Sequence, residues 1–138
     1  LKTVKGYYDY GIFQAVQIAA IIAMREGDKH VEQQAKVYEA RRDILVKGLQ
    51  KLGWHVDSPR ATMFVWANVN PEVLARFNNS TNDFCLAMVD QAEVAMTPSA
   101  AFGPLGEGYV RMALVENEHR IRQALRQLTR VLGSVSAV

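Results

Sequence analysis

Arg111 stands in the run GEGYVRMALVENEHRIRQAL, residues 106–125, with Val110, Met112 and Leu114 on one side of the alternation and Tyr109 and Ala113 sharing its own. A repeat of two predicts a strand whose first set faces a core and whose second, Arg111 included, faces away from it. The guanidinium is a rigid two-pronged donor that matches a carboxylate in a way lysine does not. The chemistry on offer is the gripping of a small carboxylate. Taken alone, a strand arginine is more often a structural ion-pair member or a solvated edge charge, so the surrounding residues must decide.

Other residues that could do chemistry are fewer. Tyr7, Tyr8, Asp9 and Tyr10 form an aromatic–acidic cluster, and Phe102, in AAFGP, could line a cleft or anchor its own loop. His30, His55 and His119 are scattered without ligand spacing, which speaks against a metal site. The glycines of GPLGEG come without the lysine of a phosphate-binding loop or the fingerprint of a dinucleotide site. Cys85 is the one cysteine, so neither an internal disulfide nor a thiolate zinc site can form, and it reads as a small buried core residue.

The elements that must position Arg111 can be drawn along the chain. Residues 1–11 carry two glycines and read as a connecting segment. Phe13 to Met24 is apolar around nearly its whole circumference, the mark of a helix that is buried or clamped between two bodies. Asp28 is placed as the N-cap of a second helix, in which Val31, Ala35, Tyr38, Leu45, Leu49 and Leu52 recur at helical steps until Gly53 stops it. Gly48 inside that helix costs roughly 0.5–1 kcal/mol relative to alanine, which implies close packing there.

The run ATMFVWANV puts Met63, Val65, Ala67 and Val69 on one face and Phe64 and Trp66 on the other. Both faces are apolar, so an interior strand covered on two sides is expected. A short helix at 72–77, a helix from Asp83 to Ala92 capped by Thr81 or Asn82, and a strand over 94–97 follow. The loop PSAAFGPLGEG leads into a strand at 109–115, and a last helix, Glu118 to Leu132, is capped by Asn117. The predicted fold class is α+β, a small antiparallel or mixed sheet packed under helices.

Composition excludes several functions. The 138 residues suit one domain with a real core, 49% hydrophobic and 22% charged. A formal net charge of +2 gives little long-range attraction for nucleic acid. An RNA-binding sheet would also need surface aromatics on a strand, and the aromatics here read as buried. The apolar stretch AVQIAAIIAM is roughly ten residues, against about 20 needed to span a bilayer. It lacks the pattern of a signal peptide. A cytoplasmic protein, with neither membrane nor nucleic-acid partner, is expected.

The combination of a glycine-rich loop, YVR, a small residue and ENEHRI opening a helix resembles the closing segment of the class I/II aminotransferases, the fold-type I enzymes that use pyridoxal 5'-phosphate. The resemblance covers essentially the whole chain. YEARRDILVKGLQKLGW, from Tyr38 to Trp54, resembles their long helix, ATMFVWANV their first small-domain strand, and TPSAAFG the loop ahead of the carboxylate-binding strand. YYDYGIFQAVQIAAI is similar to the segment joining their two domains. In wording the match is nearest to the alanine and LL-diaminopimelate branch. Departures are Glu93 and the Ser99 of Pro98–Ser99, where relatives usually have glycine, and Ala61, glycine in many.

The resemblance implies a C-terminal small domain, residues 28–138, preceded by an interdomain connector and helix over 1–27. Arg111 would hold the substrate α-carboxylate, with Tyr10 and Phe102 as further substrate-binding residues, and the whole enzyme would be a homodimer acting on amino acids and 2-oxo acids. The chain has no initiating methionine, and Lys2, Lys5, Lys29, Lys36, Lys47 and Lys51 all lack the serine–lysine setting that holds the cofactor. It is therefore expected to be inert alone, cut from the N-terminal catalytic half, and to expose an apolar patch along residues 13–24. The competing expectation is a stand-alone, non-catalytic module that binds a small carboxylate or a partner protein.

Overall fold

The computed structural model describes residues 1–133. The chain divides into two compact units, Leu1–Lys36 and Val37–Val138.

The first unit holds α1 (Lys2–Asp9), α2 (Gln14–Glu26) and the opening of α3 (Asp28–Lys51). The expected connector is thus largely helix. Gly6 lowers helix propensity by only about 1 kcal/mol, and the helix stops where Tyr10 turns left-handed (φ 50). α2 buries none of its residues; Ile18, Ile21, Ile22 and Met24 are all exposed. Asp28 lies inside the first turn of α3 and is not its cap, because the Gly27 carbonyl already accepts the Val31 N–H at 3.0 Å.

The second unit is α+β. Its strands are β1 (Phe64–Asn68), β2 (Thr97–Pro98) and β3 (Tyr109–Ala113), all antiparallel, in the order β1-β3-β2. Around them lie the rest of α3, α4 (Pro71–Ala75), α5 (Thr81–Ala92) and α6 (Glu118–Leu132). The core joins Leu45 and Leu49 of α3, Leu52 just past its end, Val65 and Ala67 of β1, Phe84 and Met88 of α5, Val110 and Met112 of β3, and Ile121 and Leu128 of α6. Trp54 and Phe77 meet Phe84 edge-on at 5.8 Å and 5.3 Å between ring centroids, geometries that add to their area burial. Cys85 is in this core, and burial, with a smaller push from the Glu107 charge, raises its thiol to about 11. It is no nucleophile at neutral pH.

Gly48 packs directly against α6: a β-carbon there would overlap the Leu125 side chain. Glu93 caps the C-terminus of α5 with φ 54, the left-handed conformation that suits the glycine usual at this position.

Three further expectations need correction. β1 is an edge strand with one open face: Val65 and Ala67 are buried, whereas Trp66 remains 44% exposed. The aromatics of its second face therefore do not enter a core. The strand expected over 94–97 pairs only at Thr97 and Pro98. The cap of α5 is Ser80, whose hydroxyl accepts the Asp83 N–H, because Thr81 is wholly buried and engaged with another segment.

Candidate functional site

β3 is the central strand, and Arg111 is paired in register with Trp66 of β1 and Thr97 of β2. As the alternation predicts, Val110 and Met112 are buried and Arg111 lies on the opposite face, half-buried. Its guanidinium carbon is 4.4 Å from the Phe64 ring centroid and 4.5 Å from that of Phe102. A cation flanked by two π-faces gains roughly 0.5–2 kcal/mol according to its solvation. The rings hold the fork in place without using its hydrogen-bond donors. Nε is shut off from solvent without a hydrogen-bond partner, and among the described residues Arg111 has no carboxylate partner.

The surroundings fit a small anion with an apolar body. A groove of about 520 Å³ is lined by Arg111, Tyr109, Phe64 and Trp66, with His55 and Asp57 at its side. Trp66 also borders a second groove of about 340 Å³, walled by Phe102, Ser99 and Leu105. The Trp66 and Phe102 rings are 5.7 Å apart at a 50° tilt. Arg41, on α3, holds the far end of the strand by donating to the carbonyls of Leu114 at 3.0 Å and Val115 at 3.2 Å.

The loop carrying Phe102 is two 3-10 turns, Ser99–Phe102 and Pro104–Gly106. Gly106 presses on the Ser99 backbone so closely that a β-carbon would overlap the Ser99 carbonyl. Next to it, the Glu107 carboxylate accepts the Thr81 N–H at 2.6 Å and the Thr81 hydroxyl. These bonds, the hydroxyl first, hold the Glu107 carboxyl below its ordinary value.

A group whose folded value is lowered contributes fully above its unfolded value, about 4.3 for glutamate, and the contribution is lost as pH falls through the folded value. In denaturant melts at stepped pH, the stability gap between the parent chain and Glu107→Gln should be widest near neutrality and close below about pH 4. A gap that stays constant or widens toward acid would contradict the assignment.

Of the residues singled out from the sequence, Arg111 and Phe102 are brought together. Tyr10 belongs to the first unit, where it is 90% exposed at the end of α1. Phe64, Trp66 and Glu107 escaped the sequence reading. The signal for Phe64 and Trp66 was available: they share the β1 face turned away from the core, the same side of the sheet as Arg111. His30, His55 and His119 are exposed on separate elements. Among the described residues there is no metal-binding cluster, and no helix is long and apolar enough to cross a membrane.

A small three-stranded antiparallel sheet under helices is a fold shared with known proteins. The chain belongs to the aminotransferase class I and II family, whose model matches residues 3–128. It is 43% identical over 126 residues to glutamate-pyruvate aminotransferase AlaC of Escherichia coli, covering 91% of this chain and 30% of that protein. It is 39% identical over 135 residues to LL-diaminopimelate aminotransferase of Moorella thermoacetica, covering 98% and 33%. Among solved structures it is similar to N-succinyldiaminopimelate aminotransferase of Mycobacterium tuberculosis, with TM-score 0.76 and 28% identity over 94% of this chain and 33% of that one. The chain spans about a third of the length of the curated relatives it matches.

The residues present do not fit the family's cofactor, pyridoxal phosphate. A lysine that carries it must be screened from water to be a free amine near neutrality. Lys2 and Lys5 on α1, and Lys29, Lys36, Lys47 and Lys51 on α3, are all exposed.

Proposed function

We propose that this chain is the C-terminal small domain of a pyridoxal-phosphate-dependent aminotransferase, and that Arg111 binds the α-carboxylate of its amino-acid and 2-oxo-acid substrates. The observation that carries this is the guanidinium flanked by Phe64 and Phe102 with no carboxylate of the described chain to neutralise it. A half-buried cation held in place without an ion-pair partner is poised for an external anion. Phe102 shapes the same site through its ring contact. Tyr10, exposed at the end of α1, is offered as a contact to substrate or to a partner subunit.

In this reading residues 1–27 form the interdomain connector and helix and residues 28–138 the small domain. The apolar surface of α2, with no buried residue, is the face that the N-terminal half covers. The names of the relatives support amino-acid metabolism as the setting. The whole enzyme is proposed to be a cytoplasmic homodimer. Pyridoxal phosphate, the electron sink of amino-group transfer, is held in it by residues outside this chain. What this chain does is orient the substrate by its carboxylate and, by closing over it, keep water from the reacting centre.

The test is an amino-transfer assay with added pyridoxal phosphate on the chain as given and on the whole protein. The whole protein should transfer the amino group and the isolated chain should not. Turnover by the isolated chain would overturn its proposed inertness. A whole protein that neither binds the cofactor nor transfers an amino group would overturn the function.

A further inference from the structure

We infer that Glu107 is a positioning residue for the carboxylate-binding arginine, acting through Thr81. The inference rests on the proposed role of Arg111 and goes beyond it. Glu107 is the carboxylate nearest to Arg111 in sequence, four residues before it, yet it forms no ion pair with it among the described residues. Its charge is engaged instead at the start of α5, where one carboxylate oxygen accepts both the N–H and the hydroxyl of Thr81.

The Thr81 hydroxyl in turn accepts the Gly108 N–H at 2.8 Å, so the bonds close a ring that runs through the backbone from Glu107 to Gly108. Thr81 is fully buried, and all three bonds converge on this one residue, two on its hydroxyl and one on its backbone N–H. The Gly108 carbonyl accepts the Val69 N–H at 2.9 Å, anchoring the same point to the residue just past β1.

This ring sits at a junction. On its C-terminal side β3 begins at once with Tyr109 and reaches Arg111 two residues later. On its N-terminal side lies the double turn that presents Phe102 to the guanidinium. One clamp therefore sets both the strand that carries the fork and the ring that holds it. A bidentate contact is sensitive to displacement of the fork by fractions of an ångström, so loosening the clamp should weaken carboxylate binding in addition to its effect on stability.

The experiment uses the whole protein loaded with pyridoxal phosphate, with L-alanine, L-glutamate and LL-diaminopimelate as donors. Variants are Glu107→Ala, the near-isosteric Thr81→Val, the hydroxyl-keeping Thr81→Ser, and Arg111→Ala as reference. Glu107→Ala and Thr81→Val should each raise KM for the preferred donor about tenfold with kcat within about twofold and unchanged cofactor absorbance, and Thr81→Ser should restore most of it.

If Arg111→Ala weakens binding while Glu107→Ala and Thr81→Val leave KM unmoved, the positioning role is wrong and the role of Arg111 stands. If none of the variants alters KM, both fail. Parallel loss of kcat and cofactor absorbance in both Glu107→Ala and Thr81→Val would make the clamp merely structural and overturn the proposal.

Discussion

Arg111→Ala in the whole protein is expected to lower kcat/KM for amino-acid donors about 100- to 1,000-fold, with cofactor absorbance intact. A guanidinium–carboxylate fork makes two charge-assisted hydrogen bonds, each contributing roughly 1.5–3 kcal/mol where water is excluded. Some of that is recovered when water solvates the vacated space, which leaves about 3–4 kcal/mol, two to three powers of ten. The flanking Phe64 and Phe102 rings, at 4.4 Å and 4.5 Å, remain after the substitution, so the defect belongs to the missing donors. Arg111→Lys keeps the charge but not the fork and should recover only part of the loss. Steady-state kinetics with the cofactor spectrum recorded alongside decides the matter. Unchanged kinetics in Arg111→Ala would refute the role.

Gly106→Ala should produce the second large effect, and it needs no substrate to be seen. Gly106 is buried, and the added methyl would meet the Ser99 carbonyl and the Ala100 nitrogen, backbone atoms that cannot rotate away as a side-chain tip can. Relief requires the two 3-10 turns to separate. Forced overpacking of this kind typically costs about 1–3 kcal/mol, and more where backbone must move. The loop carries Phe102 between Ser99 and Gly106, so the same displacement should pull one ring away from Arg111. Denaturant unfolding of the chain should show the loss, and KM of the whole protein should rise. Parent-like stability would mean that the turns are not packed as tightly as described.

Much of the scaffold could be read in the sequence where one local signal acted alone. The last helix runs from Glu118 to Leu132 behind an Asn117 cap because the capping residue and the apolar stripe agree. The alternation through Tyr109–Ala113 put Arg111 on the face away from the core, where it lies. The misreadings arose where tertiary partners override local pattern. Phe64 and Trp66 look like core residues of a strand covered on both sides, but β1 is an edge strand; Phe64 lies against the Arg111 guanidinium and Trp66 against the Phe102 ring instead. Thr81 is a good cap by type, yet Ser80 takes that position because Glu107, 26 residues away, claims the Thr81 hydroxyl. Such a pairing leaves no periodic trace in a chain read residue by residue.

The site was legible in the same uneven way. Arg111 could be found from its charge on a strand, and Phe102 from its place in the loop ahead of it. Their contact could not, since it depends on turns whose path is fixed by Gly106 against Ser99 and by Glu107 against Thr81. The freedom of the guanidinium was also invisible, because the sequence offers Glu107 and Glu116 as nearby acids and only the fold shows that neither pairs with it among the described residues.

The central claim is most directly tested by a crystal structure of the whole protein with pyridoxal phosphate and a bound 2-oxo acid, 2-oxoglutarate. The α-carboxylate should face the Arg111 fork, with both oxygens about 2.7–2.9 Å from guanidinium nitrogens and with the Phe64 and Phe102 rings still flanking the cation. An α-carboxylate bound by another residue, with Arg111 pointing to solvent or paired with a carboxylate of the protein, would contradict it.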